Sequence, residues 1–187
     1  MFTDNEDNVK EKPFNAADPA DFRKLYDSTM PLLFRISWRI VNDEEAAEDL
    51  VHDSYIKANE KKMVFPSLED AKFWLIRVVK NASLNYAKRK VRERKAYTKA
   101  LYEDKRQQVS GETELLRKET QSLTADALKK LPVSLRNVII LREYGELNYK
   151  EIGKVLGITE GNVKVRMFRA REQLEKILGG KADVWLS

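Results

Sequence analysis

The chain of 187 residues contains no cysteine and a single histidine, His52. The lack of cysteine excludes disulfides, thiolate metal sites and cysteine nucleophiles, and one histidine argues against a histidine metal cluster or a serine–histidine triad. Glycine and proline are also scarce, with 7 and 5 residues, whereas charged residues make up 35% of the chain. This composition predicts a helix-rich protein with much solvated surface and no bound cofactor or metal.

Long apolar runs are absent as well. No stretch approaches the roughly 20 apolar residues that a membrane-spanning helix needs. The first twelve residues are polar and acidic, which is not the pattern of a signal peptide. We therefore expect a cytoplasmic protein.

The charge is unevenly distributed along the chain. Residues 1–60 contain 7 Lys and Arg against 14 Asp and Glu, whereas residues 86–106 contain 9 against 3 and residues 149–181 contain 8 against 4. Basic segments suit phosphate backbones, and an acidic segment suits a basic protein surface. A solvated helix face is the simpler explanation for any single charge run, but the combination indicates two different partners.

Apolar residues recur at three- and four-residue steps through most of the chain, and no strand is predicted. Long helices are expected from about 19 to 41, from 44 to 61 and from 68 to 95, with a kink or restart at Pro31. The fold class is all-α, with two small helical domains joined by a flexible linker. The predicted boundaries are a disordered tail at 1–18, a first domain at 19–96, the linker at 97–121 and a second domain at 122–180.

A helix-turn-helix is predicted in the second domain. Gly157 is placed for a left-handed turn after a short amphipathic helix, and Thr159 can cap the next helix. That second helix has an apolar stripe at Val163, Met167, Ala170, Leu174 and Ile177. Its opposite face carries Lys164, Val165, Phe168 and Arg169, which can meet base edges and thymine methyls, while Arg166 and Arg171 on the flanks suit phosphates. A helical hairpin with a basic solvated face is the alternative.

Three stretches resemble bacterial sigma factors of the sigma-70 family. Residues 127–174, with Tyr149–Ile158 and Arg169-Ala170-Arg171, are similar to the fourth conserved region of these proteins. Residues 47–55 resemble the helix that binds core polymerase, and residues 73–89 resemble the helix that melts the promoter. The short linker and the lack of a further domain resemble the extracytoplasmic-function class.

The resemblance implies a non-enzymatic transcription initiation factor. Its partners would be core RNA polymerase, through the β′ and β subunits, promoter DNA in duplex and single-stranded form, and an anti-sigma factor. The resemblance places polymerase binding on Glu48, Asp49, His52 and Asp53.

The resemblance also assigns DNA contacts. The −10 element falls to Phe65, Trp74, Lys80, Asn81, Asn85, Lys88 and Arg89, although core packing is the alternative role for the Trp74 indole. The −35 element falls to Asn162, Lys164, Val165, Arg166, Phe168, Arg169 and Arg171.

Some residues depart from the family pattern. His52 stands where glutamine is usual, Asn85 where aspartate is common, Asn162 where threonine or serine is common, and Val165 where serine is frequent. The last change removes a hydrogen-bonding group from the helix face that would read the −35 element.

The alternatives to a sigma factor are a helix-turn-helix repressor or activator that acts without polymerase, and a nucleic-acid enzyme. The second needs a metal or nucleophile cluster or a phosphate-binding glycine loop, none of which the sequence contains.

Overall fold

A computed structural model describes residues 13–103 and 125–179 of the chain. The N-terminal domain consists of β1 (Phe14–Asn15), α1 (Pro19–Val41), α2 (Glu44–Glu60), β2 (Val64–Phe65) and α3 (Leu68–Glu103). The C-terminal domain consists of α4 (125–130), α5 (Val133–Ile139), a π-helical turn (Ile140–Tyr144), α6 (Tyr149–Leu156) and α7 (Glu160–Leu178). The all-α fold class is confirmed.

Helix starts and stops in the N-terminal domain follow the local sequence. The Asp18 side chain accepts hydrogen bonds from the backbone amides of Ala20 and Asp21 at the start of α1. Asn42 ends α1 in a left-handed conformation, and Asp43 then caps α2. The α1 helix continues through Pro31, which is exposed, because apolar residues before and after it are packed in the core.

Residues 13–18 are ordered, which corrects the prediction of disorder for this part of the chain. Phe14 pairs with Phe65 in a two-stranded antiparallel ladder, β1 with β2, although no strand was predicted. Both phenylalanines are buried, and Ala16 beside them is fully buried. Two residues per strand carry too short a pattern to detect in the sequence, so this ladder depends on tertiary packing.

The α3 helix is longer than predicted, because it ends at Glu103 instead of about residue 95. No glycine or proline interrupts the sequence between Leu68 and Glu103, and good helix formers dominate its end. Side chains from Lys88 to Thr98 are exposed, so this part of α3 is not packed against the described parts of the chain. The predicted linker at 97–121 therefore begins as helix, and its remainder lies outside the described residues.

The C-terminal domain has the predicted order of helices. The segment from 133 to 144 is helical as expected, but its last five residues form a π-helical turn. Its core contains Val138, Leu141, Ile152, Val163 and Met167, all buried. This core holds α6 and α7 together and so positions the helix-turn-helix. The predicted domain ends at 122 and 180 lie outside the described residues.

Candidate nucleic-acid interface

The α7 helix presents one buried face and one exposed face. Val163, Met167, Ala170 and Leu174 are buried, as the spacing predicted, and Ile177 is half-buried. On the opposite side the exposed residues include Phe168, with 71% of its surface accessible, and Val165, with 49%. Exposed aromatic and aliphatic side chains between cations are unusual for a purely solvated helix, and they favour a contact surface. That exposed face consists of Lys164, Val165, Phe168 and Arg169.

The turn between α6 and α7 has the geometry of a helix-turn-helix. Asn148 and Glu151 form a reciprocal capping box at the start of α6. Gly157 adopts the predicted left-handed conformation with φ of 68°, and the Thr159 hydroxyl accepts a hydrogen bond from the Asn162 amide. Gly153 lets α6 lie close to the backbone of the turn, because a Cβ atom at this position would lie 2.7 Å from the carbonyl oxygen of Ile158. The sequence signal for this close approach was a glycine inside a helix.

Several cations of α7 have an ion-pair or hydrogen-bond partner within the protein. The Lys164 ammonium lies 2.9 Å from Glu160, and this hydrogen-bonded carboxylate raises the pKa of Lys164. The Arg166 guanidinium donates to the Asn162 side chain at 2.9 Å, and Arg171 lies 3.7 Å from Glu143. Arg169 has no ion-pair partner in the described part of the chain. Among these cations, Arg169 is therefore the one most available to an anionic ligand.

The α3 helix places four of the residues assigned to −10 DNA on one face. Trp74, Asn81, Asn85 and Lys88 are seven, four and three residues apart, a spacing that aligns side chains along a helix. The last three are exposed, whereas Trp74 is half-buried. The Trp74 ring lies 5.7 Å from the Phe65 ring, so the indole packs on the core as well as facing outward.

The other three assigned residues lie apart from this face. Phe65 is only 7% exposed and Lys80 is 8% exposed, so most of each side chain is buried. Burial, together with the nearby Arg77 charge, lowers the pKa of Lys80. Arg89 is exposed on a neighbouring face, where it lies 3.6 Å from Glu93 and 5.4 Å from the Tyr86 ring.

The acidic residues of α2 form an exposed surface. Glu48, Asp49, His52 and Asp53 are all exposed. The His52 ring stacks on Tyr26 of α1, with 6.5 Å between ring centroids and 3.4 Å between the His52 Nε2 atom and the Tyr26 hydroxyl. The structure thus gathers these four residues on one helix and adds Tyr26 beside them, a contact between helices that no local pattern could reveal.

The two domains contact each other along an interdomain seam, formed by α1 and α3 on one side and by the π-helical turn and α6 on the other. Arg35 lies 2.8 Å from Glu146, and the Arg39 guanidinium lies over the Tyr144 ring at 4.8 Å. Two further contacts involve α3 and α6: Arg77 donates hydrogen bonds to the carbonyl oxygens of Lys154 and Val155, at 2.8 and 3.2 Å, and the Lys154 ammonium lies 5.1 Å from the centre of the Phe73 ring. No local sequence pattern indicates this seam.

Within residues 13–103 and 125–179, no group of three or more histidine or acidic side chains is arranged to hold a metal ion. None of the helices in these ranges is both long and apolar enough to cross a membrane.

Two helical domains, a helix-turn-helix and two basic helices place this protein in a DNA-binding class. The comparisons with known proteins make the class specific. Residues 25–93 match the family Sigma-70 region 2, and residues 123–174 match Sigma-70, region 4. The chain is 32% identical over 136 residues to the ECF RNA polymerase sigma-E factor of Haemophilus influenzae, covering 68% of this chain and 71% of that protein. It is 29% identical over 164 residues to the RNA polymerase sigma factor YlaC of Bacillus subtilis, covering 83% of this chain and 88% of that protein.

Solved structures agree with the fold. CnrH in complex with the cytosolic domain of CnrY superposes with a TM-score of 0.61 at 22% identity, covering 88% of this chain and 92% of that chain. The sigma factor RpoE from Bartonella quintana, in complex with the anti-sigma factor NepR, gives a TM-score of 0.57 at 23% identity, covering 85% and 97%.

The chain belongs to the extracytoplasmic-function class of the sigma-70 family. It is therefore a sigma factor that directs RNA polymerase to promoters, and a repressor that acts without polymerase is not favoured.

Proposed function

We propose that this sigma factor reads its promoter with two helices, α3 at the −10 element and α7 at the −35 element, while α2 binds core RNA polymerase. The observation that carries the proposal is that α3 and α7 each have a buried apolar stripe and an opposite exposed face with cations. A buried stripe fixes the orientation of a helix, so the residues on the opposite face point in a defined direction.

At the −35 element, α7 lies in the major groove. Arg169 and Lys164 bond guanine edges or phosphates, and Val165 and Phe168 contact thymine methyl groups. Arg166 and Arg171 contact phosphates, and Asn162 lies in the first turn, where backbone amides also face the DNA.

At the −10 element, the exposed face of α3 holds the open strand. Trp74 stacks on an unpaired base, a contact that contributes about 1–3 kcal/mol per base. Phe65 supports the indole from the core side, Asn81 and Asn85 bond base edges or phosphates, and Lys88 and Arg89 neutralise phosphates. Lys80 joins this set only when its side chain becomes accessible.

On the polymerase side, Glu48, Asp49 and Asp53 bind a basic surface of the core enzyme, with His52 beside them. The protein acts in the cytoplasm, without a cofactor and without catalysing a reaction itself. The sigma factor RpoE of Bartonella quintana is seen in complex with the anti-sigma factor NepR, which supports an anti-sigma factor as a partner of this chain.

The test is run-off transcription with purified core polymerase on fragmented genomic DNA. The wild-type chain should direct transcription from discrete start sites. The double variant Glu48→Lys with Asp49→Lys should lose core binding, because charge reversal replaces attraction with repulsion. Glu60→Lys changes the charge of an exposed residue at the end of the same helix and should leave core binding intact. Absence of specific start sites with the wild-type chain, or equal core affinity of the double variant, would reject the proposal.

A further inference from the structure

The two-stranded ladder joins the segment before α1 to the loop between α2 and α3. Its register sets Phe14 opposite Phe65, and the next pair is Asn15 with Val64. Side chains of directly opposite residues lie on the same face of a ladder, and successive residues alternate between the faces. Phe14 and Phe65 are accordingly buried, whereas Val64 is 60% exposed. We call residues 14–16 the N-terminal brace.

Hydrogen bonds beyond the ladder hold the N-terminal brace in place. The Ala16 amide donates to the Met63 carbonyl oxygen at 2.9 Å, and the Asn59 side-chain amide donates to the Ala16 carbonyl oxygen at 3.1 Å. On the other side, the Asn15 amide donates to the Asp21 carboxylate at 2.9 Å. The brace is thus bonded to α1, to α2 and to the loop that follows α2.

The brace reaches the proposed −10 face through Phe65. The Phe65 ring lies 5.7 Å from the Trp74 ring, with an angle of 56° between the ring planes. A tilted aromatic pair of this kind is favourable and depends on the relative orientation of the rings. Trp74 is half-buried, so this contact helps to orient the part of the indole that faces outward. A displacement of β2 would therefore move the indole that we propose to stack on an unpaired base.

The loop between α2 and α3 has little local support of its own. Lys62 adopts φ of 48°, in the left-handed region that favours glycine. The strand β2 has only two residues, and a pair of strands this short is not stable without packing. The brace supplies both the partner strand and the buried Phe14 ring, so the loop conformation depends on it.

We propose that the N-terminal brace is a positioning element for −10 recognition: by holding β2 it fixes Phe65, and so it sets the Trp74 indole for stacking on an unpaired base. Phe14 and Asn59 are positioning residues, which act through Phe65 and not on DNA. The effect on DNA binding rests on the −10 role proposed for Trp74, whereas the placement of the indole in the free chain does not depend on it.

Nuclear magnetic resonance of the indole N–H groups reports on Trp74 in the free chain. The chain has three tryptophans, and the Trp74 signal is the one that disappears in Trp74→Phe. Phe14→Ala should shift or broaden this signal strongly. Asn59→Ala removes only a hydrogen bond to the brace, at an exposed helical position that favours alanine, and should cause a smaller change. Glu60→Ala alters the next exposed residue and should leave the signal unchanged.

Fluorescence anisotropy with a short labelled oligothymidine measures the effect on DNA binding. Stacking tolerates any base, so this probe requires no known promoter. Trp74→Ala should weaken binding about tenfold, which is within the range for the loss of one stacked base. Phe14→Ala should weaken binding about fivefold, and Asn59→Ala about twofold, as expected for a positioning contact and a single hydrogen bond.

Ile40→Ala separates positioning from stability. Ile40 is a core residue near the end of α1, whereas the brace precedes the start of that helix. Ile40→Ala and Phe14→Ala should both lower the denaturant concentration at which the chain unfolds, because each removes a buried side chain. Under conditions in which both variants are folded, only Phe14→Ala should lose affinity for the oligothymidine.

The proposal is overturned if the Trp74 signal is unchanged in Phe14→Ala and Asn59→Ala, or if Ile40→Ala loses as much affinity as Phe14→Ala. It is also overturned if Trp74→Ala weakens binding and neither brace variant does. If Phe14→Ala does not fold, the comparison of Asn59→Ala with Glu60→Ala decides. If Trp74→Ala binds as the wild-type chain does, the −10 role of α3 fails instead, and the indole signals still decide whether the brace positions Trp74.

Discussion

The two helices proposed to contact DNA, α3 and α7, differ in how much of their outer face the rest of the chain leaves free. On α7 the four residues opposite the buried stripe are all exposed, and Phe168 is the most exposed large apolar residue in the described part of the chain. On α3 the outer face begins at a half-buried Trp74, and Arg77 behind it is hydrogen-bonded to α6. The difference indicates that the outer face of α7 is free for duplex DNA, whereas the first turns of the outer face of α3 are partly covered by the rest of the chain.

The largest effect is expected where α7 depends on its connection to α6. Gly153→Val places a Cβ atom where Ile158 already has its carbonyl oxygen, 2.7 Å away. Because backbone must shift, we expect a loss of stability of the C-terminal domain of about 3 kcal/mol. Chemical denaturation followed by circular dichroism should show unfolding at a lower denaturant concentration, and binding to −35 DNA should disappear.

Gly161→Ala is the control for this variant. A Cβ atom at Gly161 meets nothing within 4 Å, and the residue lies in the first turn of α7. Alanine should therefore be neutral or stabilising by up to about 1 kcal/mol. If both variants melt alike, the close approach of Gly153 is not what holds the helix-turn-helix.

The second-largest effect is a loss of DNA affinity that should differ between two cations of α7, Arg169 and Lys164. Arg169→Gln should weaken binding to a −35 duplex by about 1–3 kcal/mol and relax the preference at one base pair, because an arginine can bond a guanine edge with two donors. Lys164→Gln should weaken binding less, because Lys164 must first leave Glu160. Fluorescence anisotropy with a duplex and its single-base variants measures both. A larger loss from Lys164→Gln would reverse the assignment.

On α3 the comparison is between two sides of one helix. Lys88→Gln should reduce the salt dependence of binding to single-stranded −10 DNA by about 0.7 in the logarithmic slope, the value of one phosphate contact. Lys90→Gln removes the same charge two residues later, on the opposite side of the helix, and should leave the slope unchanged. Equal slopes for both variants would show that α3 acts only through general charge.

The smallest effect concerns Glu160. Glu160→Gln removes the negative charge that hydrogen-bonds Lys164 and raises its pKa. A freed Lys164 should increase affinity for the −35 duplex modestly, with the gain shrinking as salt is added because exposed charges are screened. Anisotropy titrations at two salt concentrations measure the gain, and unchanged affinity at low salt would place Lys164 away from the DNA.

Local sequence was sufficient for the helix-turn-helix. The turn at Gly157, the cap at Thr159 and the buried stripe from Val163 to Leu174 follow from spacing and from residue type, and the structure confirms them. The resemblance to sigma factors rested on this segment and on residues 47–89, and the family matches confirm it.

Contacts between distant segments could not be predicted in the same way. The β1–β2 ladder brings Phe14 to Phe65, which are 51 residues apart, so Phe65, which the resemblance assigns to −10 DNA, is packed in the core. The resemblance assigns Lys80 to −10 DNA, yet only 8% of its surface is exposed. Periodicity identifies which side of a helix is apolar, but it does not identify which other element covers the polar side.

Photo-crosslinking from both helices, in the complete complex with polymerase and promoter DNA, is the best test of whether α3 and α7 contact different promoter elements. A photoreactive phenylalanine analogue replaces Phe168 in one variant and Trp74 in another, and the crosslinked bases are mapped. We expect Phe168 to crosslink to duplex DNA at the −35 element and Trp74 to unpaired DNA at the −10 element. Crosslinks from both positions to the same element, or none from Trp74 in a transcriptionally active complex, would contradict the account.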